Sequence, residues 1–264
     1  MISVVVPWDG AKTWDVAIQE LPELGIHHLT LRLGASDVPE DVSTLKAQLS
    51  RYGLRIISCD ISSGSPLDVK VLEAMKEKIQ MACELGASIA ICESGFANND
   101  KEFDRIIDHL HELADCADTF NLKLALDTQP GLTQNWRAMA HTIQSLSHDR
   151  VKLNFDPGNL VFLNEQVQVD TSLARVCQHV AHVYLRDCCS FGTRCYGALG
   201  TGGAVDFSCV REILQSTGYT GPYSIVFDDP LSERMELLQR RDRLQRSLKV
   251  LEWCGYLDSD SSEL

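Results

Sequence analysis

Four short runs decide how this chain folds: LKLALD (122–127), VKLNFDPGN (151–159), AHVYLRD (181–187) and GPYSIVFDD (221–229). Each is a short apolar stretch that finishes in a polar tip. Parallel strands opening their C-terminal ends into one pocket read this way, and such ends are where barrel enzymes keep their chemistry. Two tips carry Asp127 and Asp156, carboxylates able to bind a divalent metal. The matching inward positions on the other two runs hold Tyr184 and Val226.

Working outward, strand-like runs begin near residues 2, 27, 54, 88, 122, 151, 181 and 222. Helical patterns with 3.6 spacing lie between them. Over 66–86, Val69, Leu72, Met75, Ile79 and Ala82 fall on one face and Gly86 follows as a stop. The segments 102–120 and 231–253 are amphipathic in the same way. Eight strand–helix units exclude a sandwich and close most naturally into a (β/α)8 TIM barrel. A doubly wound open sheet is the alternative, but no GxGxxG follows the first strand, which runs into PWDGAKTWD instead. The reading is therefore one barrel domain over 1–257, with 258–264 an acidic, disordered tail. The longest irregular stretch, 187–206, follows the seventh strand and is expected as a structureless loop over the pocket mouth.

Composition narrows the function. A net charge of −13 works against a nucleic-acid partner, because phosphate binding needs a basic face. No apolar run approaches the ~20 residues of a membrane helix. MISVVVP passes straight into fold-forming sequence without a basic leader, so a cytoplasmic protein is expected. The ten cysteines include no CxxC and are expected to be buried, reduced thiols behaving as small hydrophobes. Reductant should then leave the melting temperature unchanged, and an oligomer is compatible with everything above.

The order LALD, VKLNFDPGN, HVYLRD, GALGTGGAVDF and GYTGPYSIVFDD resembles the xylose-isomerase-like barrels, which include sugar isomerases, ketose epimerases and endonuclease IV. The resemblance implies a divalent metal held by Glu, Asp, His and Glu on strands five to eight, the two glutamates also moving protons. Carried over by position, strand five offers Asp127, one carbon shorter than Glu, and strand six offers Asp156. Strand seven has Tyr184 in place of His, although Arg186 and Asp187 fit the motif, and strand eight has Val226 in place of Glu. Two carboxylates leave most of the roughly six oxygen ligands of Mn2+ or Mg2+ to water and substrate, so any ion is expected to be weakly bound. Asp228 lies two residues past Val226 on the same face, a candidate to compensate.

The resemblance implies an isomerase or epimerase acting on a small carbohydrate, with Asp127 as the catalytic carboxylate. Trp8, Glu93, Asn159, Tyr184, Arg186, Arg194 and Asp228 would line the pocket. Plainer roles stand beside these. Asp127 and Asp156 precede turn sequences, Asn159 suits a helix start, Glu93 suits a rim ion pair, and Trp8 suits a barrel cap. Arg194 is placed to meet a phosphate, a sugar hydroxyl or only solvent. His182, two positions deeper than Tyr184, is expected to be a bonded core histidine. A non-catalytic descendant binding a sugar or a protein is the rival function. An endonuclease-IV-like hydrolase, which needs a histidine-rich three-metal site, ranks last.

Overall fold

In a computed structural model, residues 1–7, 14–34, 41–195, 197–227 and 237–257 are described. Eight strands form a closed barrel: β1 (Ile2–Pro7), β2 (His28–Arg32), β3 (Arg55–Asp60), β4 (Ile89–Cys92), β5 (Lys123–Asp127), β6 (Val151–Phe155), β7 (Val180–Leu185) and β10 (Tyr223–Ile225). All neighbours are parallel and the last strand pairs with the first, so no edge is left open. Helices α1 (Trp14–Glu23), α2 (Val42–Arg51), α3 (Val69–Leu85), α4 (Asp100–Thr119) and α5 (Trp136–Leu146) cover the crossovers of the first half. Two helices, α6 (Pro157–Leu163) and α7 (Val169–Val176), follow β6, and α8 (Phe207–Ser216) and α9 (Leu237–Trp253) complete the ring.

The helices form where the periodicity places them, and their ends are fixed by side chains. Gly86 closes α3 with φ +89°, its N–H reaching the carbonyls of Ala82 and Cys83. Asn99 caps α4 by accepting the N–H of Glu102. The face of α4 against the barrel, Ile106, Ile107, Leu110, Leu113, Ala114 and Ala117, is buried. Each large aliphatic there contributes about 1.5–3 kcal/mol.

Inside the barrel the alternation of the strands separates polar from apolar layers. Ser3, Thr30, Ser58 and Ser224 form a hydroxyl ring, with Oγ–Oγ distances of 2.5 Å for Ser3–Ser224, 2.7 Å for Thr30–Ser224 and 2.6 Å for Thr30–Ser58. Beside and above it, Ile89, Ile91, Ala125, Tyr184 and Val226 make a small apolar cluster of their own, Ile89 lying level with Ser58. The barrel is thus filled, and the mouth at the strand C-terminal ends is the open end for chemistry.

Two expectations need correction. The stretch 187–206 is not structureless: Cys188–Ser190 (β8) and Thr193–Arg194 (β9) pair as an antiparallel hairpin. The thiols are not all reduced, because Cys189 and Cys195 are joined as a disulfide that staples this hairpin, their Cα atoms 5.2 Å apart. The hairpin brings the two cysteines face to face, a pairing invisible in spacing alone. Of the others, Cys59, Cys92 and Cys188 are buried, whereas Cys83, Cys116, Cys177, Cys209 and Cys254 are only partly so. No described helix is long and apolar enough to cross a membrane. The tail 258–264 lies outside the described residues.

Candidate active site

Asp127, the last residue of β5, points into the mouth with 4% exposure. Its oxygens accept hydrogen bonds from two amides, Oδ1 from Asn154 Nδ2 at 2.6 Å and Oδ2 from Gln129 Nε2 at 2.7 Å. Burial, then the charges of Asp156 and Asp60, push its carboxyl up from the ordinary 3.8 to about 8. Asn154 is oriented in turn: its Oδ1 lies 2.7 Å from His182 Nδ1, while His182 Nε2 lies 2.8 Å from Ser224 Oγ. Since Asn154 gives its N–H to Asp127, its oxygen must accept from His182 Nδ1–H. That leaves Nε2 to accept from the serine. Burial lowers the pKa of His182 to about 3, so the ring stays neutral and this one tautomer persists.

Asp156 plays two parts. It caps α6, its Oδ1 accepting the N–H of Asn159 at 2.8 Å, with Pro157 at the first helical position. Its Oδ2 forms an ion pair with Arg186 Nε at 2.8 Å, both side chains nearly or fully buried. The turn role of Asp156 is therefore real, and it coexists with a charged pairing at the mouth. Gly158 makes this possible: a Cβ there would sit 2.7 Å from the Arg186 carbonyl oxygen, so only glycine lets α6 start against the end of β7.

Asp60, at the end of β3, belongs to the same mouth. Arg32 Nε donates to its Oδ2 at 2.8 Å, and the Tyr184 hydroxyl donates to the same oxygen at 3.3 Å. Tyr184 is fully buried, edge-on to His182. Asn159 is 2% exposed and ties three parts together, giving its side-chain N–H to the Thr128 carbonyl and accepting from Arg194 Nη1 at 2.7 Å. Glu93, just past β4, is half-buried, and burial followed by the charge of Asp60 raises its pKa. Val226 is buried at the end of β10. Trp8 and Asp228 lie outside the described residues.

This arrangement brings Asp127, Asp156, Tyr184, Arg186, Asn159 and Arg194 to one end of the barrel. It adds Asp60, Arg32, Gln129 and Asn154, which the sequence reading passes over. RIISCD (55–60) is a further apolar run with a polar tip, so Asp60 was open to the same rule as Asp127. The two amides carry no comparable signal.

A divalent ion fits this donor set poorly. Both Asp156 oxygens are committed, to an N–H and to a guanidinium, and both Asp127 oxygens accept amide N–H groups. Tyr184 spends its proton on Asp60, and Val226 has no donor atom. Among the described residues no three His, Cys, Asp or Glu side chains gather closely enough to share an ion.

Residues 18–254 match the xylose isomerase-like TIM barrel family. No curated protein matches the chain. Among solved structures, a xylose isomerase domain protein from Planctomyces limnophilus is 17% identical with a TM-score of 0.79, covering 96% of both chains. D-psicose 3-epimerase from Clostridium cellulolyticum H10, solved with D-tagatose, is 13% identical with a TM-score of 0.75, covering 96% of this chain and 98% of its own. A xylose isomerase-like TIM barrel protein from Mycobacterium smegmatis, in complex with magnesium, is 20% identical with a TM-score of 0.72, covering 91% of this chain and 89% of its own. At these identities the likeness is one of fold.

Proposed function

The chain belongs to the xylose isomerase-like TIM barrel family, and from that membership and the geometry of its mouth we propose that it is a carbohydrate isomerase or epimerase working without a tightly held metal. Asp127 carries the reading: a strand-end carboxyl, buried, oriented by two amides and pushed up to about 8. A general base is most effective when its pKa lies near the working pH. Ionised Asp127 takes the proton from the carbon beside a carbonyl; the C–H electron pair becomes a C=C bond and the carbonyl π pair moves onto its oxygen, giving an enediolate. The Arg186 guanidinium, fixed beside Asp156, supplies positive charge to that oxygen. Proton return from Asp127 to the former carbonyl carbon, with the neighbouring hydroxyl's proton passing to the enediolate oxygen, gives isomerisation. Return from Glu93 to the other face gives epimerisation. Any Mn2+ or Mg2+ is bound weakly, and the working setting is cytoplasmic.

The test is a screen of ketoses and inosose-like polyols with protein purified without chelator, its metal content measured first. Turnover that survives EDTA and falls about 10²-fold or more in Asp127→Asn is expected. Activity that appears only with a stoichiometric, micromolar-affinity metal would overturn the reading. Val226 favours one rival specifically, a non-catalytic sugar-binding barrel, because an apolar side chain ends β10 where a second proton-transfer carboxylate is implied. Saturable polyol binding with no turnover in any screen would select it.

A further inference from the structure

We propose that the lower end of the barrel, where the strands begin, is a second binding site that takes a phosphorylated small molecule with a polar ring body. It is separate from the carbohydrate reading above and does not depend on it. Lys123 is the first residue of β5 and Asp127 the last, so this end lies opposite the candidate base. Barrels of this kind are filled by side chains and keep their chemistry at the upper end. Here the lower end holds a cavity of about 590 Å³, within the range of roughly 300–1,000 Å³ typical of small-molecule sites. Ile57, Ile89 and Val180 give it apolar surface, and Ser88, Asn121 and Thr220 give it hydroxyl and amide groups.

The segment 217–222, which joins α8 to β10, is a wall built before any ligand arrives. Gly218 turns it at φ +75°, and a Cβ on Gly221 would sit 2.5 Å from the Ala181 carbonyl oxygen. The Tyr219 hydroxyl donates to the Pro222 carbonyl at 2.7 Å, and its ring stands edge-on to Tyr223. A wall fixed in this way loses little entropy when a ligand binds. The charge is selective too. Lys123 and Arg150 both line the cavity from neighbouring strands, the Leu124 N–H donating to the Arg150 carbonyl at 3.0 Å. Among the described residues the Lys123 ammonium has no partner, and Arg150 meets Asp118 through Nε alone. Asp118 is not part of the lining. No Asp or Glu is among the described residues that line the cavity, in a chain with 37 of them against 24 Lys and Arg. A field of this sign selects anions, and a phosphate suits a guanidinium fork beside an ammonium. The hydroxyl and amide groups along the remaining wall suit the polar body.

The experiment uses the full chain in a zwitterionic buffer at neutral pH. Adenosine monophosphate, adenosine and inorganic phosphate are titrated by calorimetry and thermal shift. The nucleotide should bind, with adenosine and phosphate alone each about tenfold or more weaker. Lys123→Gln and Arg150→Gln should each weaken the nucleotide about tenfold. Ser88→Trp keeps both charges and fills the cavity, so it should abolish binding. Lys123 and Ser88 are exposed and Arg150 is half-buried, so the fold should tolerate all three changes. If Arg150→Gln does not fold, Lys123→Gln and Ser88→Trp decide. Nucleotide stabilisation no greater than that of chloride at equal ionic strength would overturn the site, as would full affinity in Lys123→Gln. Full affinity in Ser88→Trp with loss in the charge variants would mean attraction to the surface and no cavity site, which also overturns it. Adenosine binding as tightly as the nucleotide would overturn the phosphate assignment. Nucleotide binding here with no sugar turned over leaves this site standing and counts against the carbohydrate reading alone.

Discussion

Asp127→Asn turns the electrostatics of the mouth into a stability measurement. Asparagine has the shape of the carboxyl group and cannot ionise. Its oxygen can accept from Asn154 as Asp127 Oδ1 does, and a turn of the Gln129 amide lets the new NH2 donate to Gln129 Oε1. In the parent, the folded carboxyl titrates at about 8 and the unfolded one at its ordinary 3.8. Below the lower value both states hold the proton and the group costs nothing. Between the two values the unfolded state has lost its proton and the folded state keeps it. Parental stability therefore falls by about 1.4 kcal/mol per pH unit from this group, levelling off above the folded pKa at a ceiling of roughly 6 kcal/mol. Urea unfolding of both proteins at intervals from pH 5 to 9 isolates the effect as a difference, because other groups titrate alike in each. The variant's advantage over the parent should grow by about 4 kcal/mol between pH 5 and pH 9. A flat difference, or a variant that loses ground as pH rises, would mean that Asp127 is ionised at neutral pH. The proton-transfer role argued above would then lose its physical basis.

Three further outcomes follow. Gly203→Ala should cost about 3 kcal/mol or more in urea unfolding, because the new Cβ would overlap the Asp187 carboxylate that holds Cys188, Gly200 and Val205. Reduction of Cys189–Cys195 should lower the melting temperature by a few degrees, since a staple across so short a loop contributes about 2 kcal/mol, and Cys189→Ser should lose the same amount and no longer respond to reductant. Tyr184→His with Val226→Glu should gain Mn2+-dependent thermal stabilisation, and adding Arg186→Met should enlarge it, because the guanidinium competes for Asp156. Equal Mn2+ shifts in the double and triple variants would show that Arg186 is no competitor.

The barrel was legible in the sequence because its signal is repeated eight times: a short apolar run, a turn and a helical face, each reinforcing the next. Gly86 as a helix stop and the inward positions of Tyr184 and Val226 come from periodicity alone. What stayed hidden depends on contacts across the barrel. Asn154 differs from an ordinary strand polar residue only because β5 lies beside it, Asp127 opposite Asn154 in register. Arg243 sits in a charge-rich helix and looks solvated until α9 is laid against the segment after β7. The cysteine pair was missed for the same reason, since a hairpin six residues apart is set by backbone turning and not by spacing.

Among the described residues Asp60, Asp127 and Asp156 are buried carboxylates of the mouth, and each meets the cost of burial differently. Asp60 takes the Arg32 guanidinium and the Tyr184 hydroxyl. Asp156 takes Arg186 and the start of α6. Asp127, hydrogen-bonded by two amides and facing the charges of Asp156 and Asp60, meets it through a raised pKa that keeps its proton to higher pH. One divalent cation shared among such groups would compensate them together. Here compensation is divided among two arginines and a proton, and each part is local. Loss of Arg186 would therefore leave Asp156 as a buried charge without its ion-pair partner, a change that typically costs 3–5 kcal/mol. The same loss would remove a positive charge that acts on the candidate base. Stability and chemistry at this mouth thus depend on the same guanidinium, so Arg186→Met has to be read by both unfolding and turnover before either role is assigned to it.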